Sequence, residues 1–177
     1  PFSFSKTYGF LTACPTNFGT GLRVSVLIHL PALVITKDIQ RLIRSSAPIG
    51  LTVRGYYGEG SDVIGNLFQI SNGSSLGKSE RETVTTLENA VRKIIEYEKR
   101  AAETLMNDAR LQIEDKVFRS AGILKSARVL STGEFMNLGS AVRLGVFLGI
   151  LSKPDMRMLN ELLIITQPAH LQARTGK

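Results

Sequence analysis

One cysteine, two histidines and no tryptophan in 177 residues exclude several classes of function. A single thiol cannot close an internal disulfide, so a disulfide-stapled secreted domain is ruled out and a reducing cytoplasm is the expected compartment. His29 and His170 have no carboxylate cluster at ligand spacing beside them, so the sequence offers no metal site of its own. No apolar run reaches the roughly 18 residues of a membrane span, and the N-terminus lacks the charged-then-apolar pattern of a signal peptide. The chain starts at Pro1 rather than Met, so residues 1 to 177 are expected to be a piece of a longer protein.

What is present fits a globular chain with one domain or two small ones: 43% hydrophobic and 21% charged residues. The net charge is +7, with 12 basic against 8 acidic side chains in residues 1 to 100 and 10 against 7 in the remainder. No block of consecutive Lys or Arg marks a basic tail, and no direct nucleic-acid binding is expected. A diffuse excess of this kind suits either a phosphate ligand or an ordinary solvated surface.

Along the chain the texture changes once. In Arg23 to Leu30, Val24, Val26 and Ile28 alternate with Ser25, Leu27 and His29, which predicts a strand ended by Pro31. Leu51 to Arg54 and Val63 to Ser71 are further strands, with a helix over Lys37 to Ser46 stopped near Pro48. Mixed, mostly short connections predict an antiparallel sheet in an α+β half. Ser79 and Glu82 form a capping box opening a long helical stripe of Val84, Leu87, Val91, Ile94, Ile95, Ala102 and Leu105. Three more helices follow, around Ile113 to Leu124, Glu134 to Leu151, and Pro154 to Gln167, the last closed by Pro168. The predicted architecture is an antiparallel sheet with flanking helices over 1–108 and a small all-α extension over 109–177.

Gly73-Ser74-Ser75-Leu76-Gly77-Lys78-Ser79 resembles a phosphate-binding P-loop only superficially. Three residues separate its glycines where that loop needs four, and Ser79 is better explained as a cap. Two other stretches carry more chemistry. Thr12 to Arg23 places Cys14 in a turn-forming segment ahead of a strand that begins with Arg, and Val53 to Gly60 puts Arg54 at a strand end before a Gly-rich turn carrying Glu59. Glycine allows close backbone approach to a ligand, and arginine offers a rigid fork of donors matched to phosphate oxygens. Together the two stretches point to a phosphate site with a thiol and a carboxylate nearby.

At these residues the chain resembles a known family. Cys14-Pro15-Thr16-Asn17, Gly19-Thr20-Gly21-Leu22-Arg23, Arg54-Gly55, Gly58-Glu59, and Ser71-Asn72 with Leu76-Gly77-x-Ser79-Glu80 are similar to the C-terminal half of the ATP:guanido phosphotransferase (phosphagen kinase) catalytic domain. The similarity covers roughly residues 6 to 105. Glu114-Asp115-x-Val117-Phe118-Arg119-Ser120 and Asn160-Glu161-Leu162-Leu163-x-x-Thr166-Gln167-Pro168 resemble the extension of the bacterial protein-arginine kinase branch, which metabolic creatine and arginine kinases lack. Leu27, where metabolic members usually have His, fits the same branch. Glu59, where creatine kinases have an aliphatic residue, groups the chain with enzymes that take an arginine-type guanidinium.

The resemblance implies transfer of the ATP γ-phosphoryl group to arginine side chains exposed on proteins. It implies Mg2+ held mainly through the nucleotide phosphates, a cytoplasmic stress-response role, and a homodimer formed through the helical extension. Arg23 and Arg54 would clamp phosphates, with Val24, Ser25, Val26 and Leu27 and then Gly55, Tyr56, Tyr57, Gly58 and Glu59 lining the nucleotide site. Cys14, Arg54 and Glu59 would act on the reacting groups. A guanidinium with a pKa above about 12 is a poor nucleophile while protonated, so Glu59 would orient it and help remove a proton. Cys14 would face it as a thiolate. The family's upstream Arg-rich segment and its upstream acidic motif have no counterpart here, nor does the branch's C-terminal Arg-Asp motif, so the fragment alone is expected to turn over poorly. Val24 also replaces the Ala usual after the first Arg. Two other readings stay open: a metabolic guanidino kinase acting on free arginine, and a degenerate kinase serving as a regulatory interaction module.

Overall fold

The computed structural model describes residues 2–14, 17–56 and 63–176. The chain forms two compact units, one of Pro1–Val63 with Leu67–Lys99 and one of Ile64–Asn66 with Arg100–Lys177. One long helix runs through residue 99 and so contributes to both.

The first unit is built on antiparallel strands, as the alternating pattern predicts. A two-stranded ribbon pairs β1 (Phe4–Ser5) with β2 (Gly9–Phe10). A three-stranded sheet has the order β3 (Ser25–His29), β5 (Leu67–Asn72), β4 (Leu51–Gly55), with both pairings antiparallel. Between β3 and β4 lie α1 (Pro31–Ile35), α2 (Ile39–Ser46) and a 3-10 turn over Ala47–Ile49. Pro31 ends the strand as expected, but it also opens a helix the pattern did not reveal. Its fixed φ and missing N–H suit the first helical position.

The strand expected from Val63 begins only at Leu67. Gly65 and Asn66 adopt φ of 66° and 54°, a left-handed turn that cannot continue a ladder. Leu30, Ala32, Leu33, Leu42, Leu51, Phe68, Ile70, Leu87 and Ile94 form the buried core of this unit.

Helix α3 (Glu80–Asp108) starts on the predicted capping box. The Ser79 amide donates to the Glu82 carboxylate at 2.7 Å and the Glu82 amide donates to Ser79 Oγ at 3.2 Å. Its buried stripe is rotated from the one hydrophobicity suggests. Val84 and Ile95 are exposed, whereas Thr83 and Glu98 are buried with Leu87 and Ile94. The reason lies in hydrogen bonding: Glu98 accepts from the amides of Ala32 and Leu33 at 2.7 and 3.0 Å. Helix α1 has no cap of its own, and this distant carboxylate satisfies its first free amides.

The second unit is helical. It holds the end of α3, α4 (Arg110–Ser126), α5 (Thr132–Phe147), α6 (Met156–Ile165) and α7 (Pro168–Thr175). Pro168 therefore does not merely close α6. It stands at the first position of a further helix, where its missing N–H costs nothing. Ser131 caps α5 through the Glu134 amide, and Asp155 caps α6 through the Met158 amide. Ile113, Val117, Met136, Val142, Leu144 and Leu159 fill the core of this unit. The turn before β5 is held here: the Gly65 amide donates to Asn137 Oδ1 at 3.0 Å and Asn66 Nδ2 donates to Ser140 Oγ at 2.8 Å.

Candidate nucleotide-phosphate site

The alternation along each strand sorts the sheet into two faces. Val26, Ile70 and Val53 stand opposite one another across the three strands, and Ile28, Phe68 and Gly55 form the next such row. The other face carries the rows Ser25, Ser71, Thr52 and Leu27, Gln69, Arg54. Gln69 Nε2 bonds Ser25 Oγ across the strands at 3.1 Å. Ser71 is 1% exposed, and Arg23, two residues before Ser25, reaches it with Nη2 at 3.4 Å.

A cavity of about 210 Å³ opens at this polar face, lined by Asn17, Arg23, Thr52, Arg54, Ser71 and the Asn72 to Ser75 turn. Its described lining contains two guanidinium groups and no carboxylate. Donors of one sign converging on a small space suit an anion with several oxygens. The volume is below the roughly 300–1,000 Å³ that encloses a whole drug-sized ligand, so the cavity fits the phosphate end of a larger molecule.

The loops that border the cavity are packed backbone to backbone. Phe10 and Gly19 exchange amide–carbonyl bonds at 2.8 and 3.3 Å, and Ser75 Oγ donates to the Phe18 carbonyl at 2.7 Å. Gly19 has φ of 101°, and a Cβ placed on it would lie 2.5 Å from the Ser75 carbonyl oxygen, so only glycine allows this approach.

The structure thus brings Arg23 and Arg54 to one cavity, with Ser25 and Leu27 on the same sheet face. Val26 belongs to the opposite face, and the Val24 amide and carbonyl are taken by Asn72 Oδ1 at 2.8 Å and the Asn72 amide at 3.3 Å. Gly55 is the buried end of β4, and Tyr56 is half-buried beyond it. Cys14 is exposed in the turn just before Asn17. Its carbonyl accepts from Thr12 Oγ1 at 2.7 Å and from the Asn17 amide at 3.0 Å, which ties the thiol-bearing turn to a cavity residue. Tyr57, Gly58 and Glu59 lie outside the described residues. Among the described residues, no three His, Cys, Asp or Glu side chains gather as metal ligands, and no helix is long and apolar enough to cross a membrane.

Sequence reasoning gave Thr52 no role and took Ser71-Asn72 only as part of the family motif. The period-2 alternation of Gln69 and Ser71 with Phe68 and Ile70 carries the signal, since polar residues on one side of a central strand imply a polar ligand or a polar neighbour.

Residues 1–101 match the family described as ATP:guanido phosphotransferase, C-terminal catalytic domain. Residues 110–177 match the Protein-arginine kinase McsB C-terminal domain. A protein-arginine kinase of Symbiobacterium thermophilum is 53% identical over 176 residues, covering 99% of this chain and 50% of that protein. One from Clostridium novyi is 48% identical over 99% of this chain and 51% of its own length. One from a Geobacillus species is 49% identical over 99% and 48%. The chain spans about half the length of the curated relatives it matches.

Proposed function

The chain belongs to the ATP:guanido phosphotransferase family, and on that premise we propose that the whole protein is a protein-arginine kinase. It moves the γ-phosphoryl group of ATP to a guanidinium nitrogen of arginine side chains exposed on proteins. The observation that carries this reading is the meeting of Arg23 and Arg54 at one cavity whose described lining has no carboxylate. The similarity of nearly the whole chain to proteins named protein-arginine kinase selects the acceptor.

In the reaction the bond from the γ-phosphorus to its bridging oxygen breaks, a phosphorus–nitrogen bond forms, and the guanidinium loses one proton. Catalysis of such a transfer is mainly positioning plus stabilisation of charge on the transferred group. Arg23 and Arg54 hold phosphate oxygens in line as permanently charged forks. Glu59 orients the acceptor and takes up its proton. Cys14 faces the substrate guanidinium as a thiolate and makes no covalent bond to it. The donor-rich lining suits a nucleotide that carries Mg2+ on its own phosphates, where the ion neutralises charge. Residues 1–108 form the C-terminal half of the catalytic domain and 109–177 the helical extension. That extension makes the homodimer, a role supported by its exposed Leu111, Phe118 and Val129.

The deciding assay is transfer of labelled γ-phosphate from ATP to an arginine-rich protein by the full-length enzyme, with free arginine as the competing acceptor. Acid-labile label on the protein is expected, reduced about 100-fold or more in Cys14→Ala and Glu59→Gln, as expected for removal of groups acting directly on the acceptor. Acid-stable label, preference for free arginine, or full activity in both variants would overturn the assignment.

A further inference from the structure

Asn72 lines the cavity, yet its side chain has little left to offer a ligand. A side-chain amide has two donor hydrogens and an acceptor oxygen. Here Nδ2 donates to the Leu22 carbonyl at 3.0 Å and to the Ser74 carbonyl at 3.2 Å, while Oδ1 accepts from the Val24 amide at 2.8 Å. Both donors are spent on backbone. Leu22 and Val24 are the two neighbours of Arg23 in the chain, so one side chain grips the backbone on either side of that arginine and fastens it to the turn leaving β5. The Asn72 amide adds a further bond to the Val24 carbonyl at 3.3 Å.

That grip falls where the strand has not yet begun. The regular pairing of β3 with β5 starts at Ser25 opposite Ser71, and Gly21, just upstream, has φ of 64°. Arg23 is exposed, and among the described residues its guanidinium reaches Ser71 Oγ at a long 3.4 Å. Its aim into the cavity therefore depends on where its backbone is held. Resting on the reading of Arg23 as a nucleotide-phosphate ligand, we infer that Asn72 is a positioning residue: it touches no phosphate itself and fixes the arginine that does. Small displacements of an aligned group are costly in phosphoryl transfer, with about 1 Å able to cost 100-fold.

The test is a double-mutant cycle in the intact protein, read as ATP affinity by calorimetry and as kcat and KM for ATP. Asn72→Ala and Asn72→Asp are each made alone and together with Arg23→Ala. Asn72→Asp keeps the volume and the bond from the Val24 amide but turns a carboxylate towards the Leu22 and Ser74 carbonyls. Each single Asn72 substitution is expected to weaken ATP binding by about tenfold, the size of one misdirected charge-assisted contact. In the Arg23→Ala background neither is expected to weaken it further, because the group being positioned is gone. The same loss in both backgrounds, or no loss when Arg23 is intact, overturns the proposal. So does unfolding of both single variants, since that would make Asn72 a support of the whole fold. If the unsubstituted protein binds no ATP, the functional reading fails and takes this one with it. ATP binding with an additive cycle removes this proposal alone.

Discussion

Gly19 shows what a single residue contributes to the site. Its φ of 101° and the 2.5 Å that would separate an added Cβ from the Ser75 carbonyl oxygen leave no room for any side chain. Gly19→Ala must push the segment carrying Asn17 away from the turn carrying Ser75, both of which line the cavity. Combined strain and displacement are expected to cost about 2 kcal/mol or more of stability and to weaken ATP binding, measured by denaturant unfolding and calorimetry. An unaltered variant would show that the two loops are not held as described. At this scale the sequence was partly legible. Arg23 and Arg54 stood out because permanent charge at strand ends is hard to explain as scaffolding. Ser71 counted only as part of the Ser71-Asn72 family motif, because a small hydroxyl in an apolar strand shows no ligand role until its neighbours across the sheet are known. Glu59 lies outside the described residues, so its place rests on the family resemblance.

Among the elements, α1 is held in an unusual way. It is five residues long, has no side-chain cap, and depends on Glu98 from α3 for the bonds to its first amides. Glu98→Ala leaves two buried N–H groups without a partner and is expected to cost about 3 kcal/mol, from roughly 1–3 for each. Burial raises the Glu98 pKa, although its two backbone bonds oppose the shift. A carboxyl whose folded pKa lies above its unfolded one binds more protons in the folded state, so this group's contribution falls as pH rises above about 4.5. Glu98→Gln is expected to flatten that part of the stability profile, and an unchanged slope in a pH series of denaturant melts would contradict it. Strands and long helices were legible from their periods of two and 3.6, and the capping box gave the start of α3 directly. The rotated stripe of α3 was not, because no hydrophobicity pattern places a glutamate in a core. Its reason is a bond to a helix about 65 residues earlier.

For the molecule as a whole, the two units do not divide at a single point in sequence. Ile64–Asn66 belongs with Arg100–Lys177. A truncation after Asp108 removes Asn137 and Ser140, the partners of Gly65 and Asn66. The shortened chain is expected to melt several degrees lower, as a loss of about 1 kcal/mol or more dictates for this size, and, on the proposal that the extension forms the homodimer, to be monomeric by light scattering. Unchanged melting and unchanged mass would show the extension to be an independent appendage. The change to helical texture from Ser79 was legible from periodicity alone. The return of residues 64–66 to the helical unit was not, because three residues carry no periodic signal.

That same turn sets an order of events during synthesis. Gly65 and Asn66 bond to partners 72 and 74 residues later in the chain. At about 5–20 residues per second, those partners leave the ribosome several seconds after the turn itself. The loop that must then close is long, which adds entropy cost before any contact rewards it. The turn feeding the central strand of the candidate site therefore reaches its final bonding only after α5 has been made.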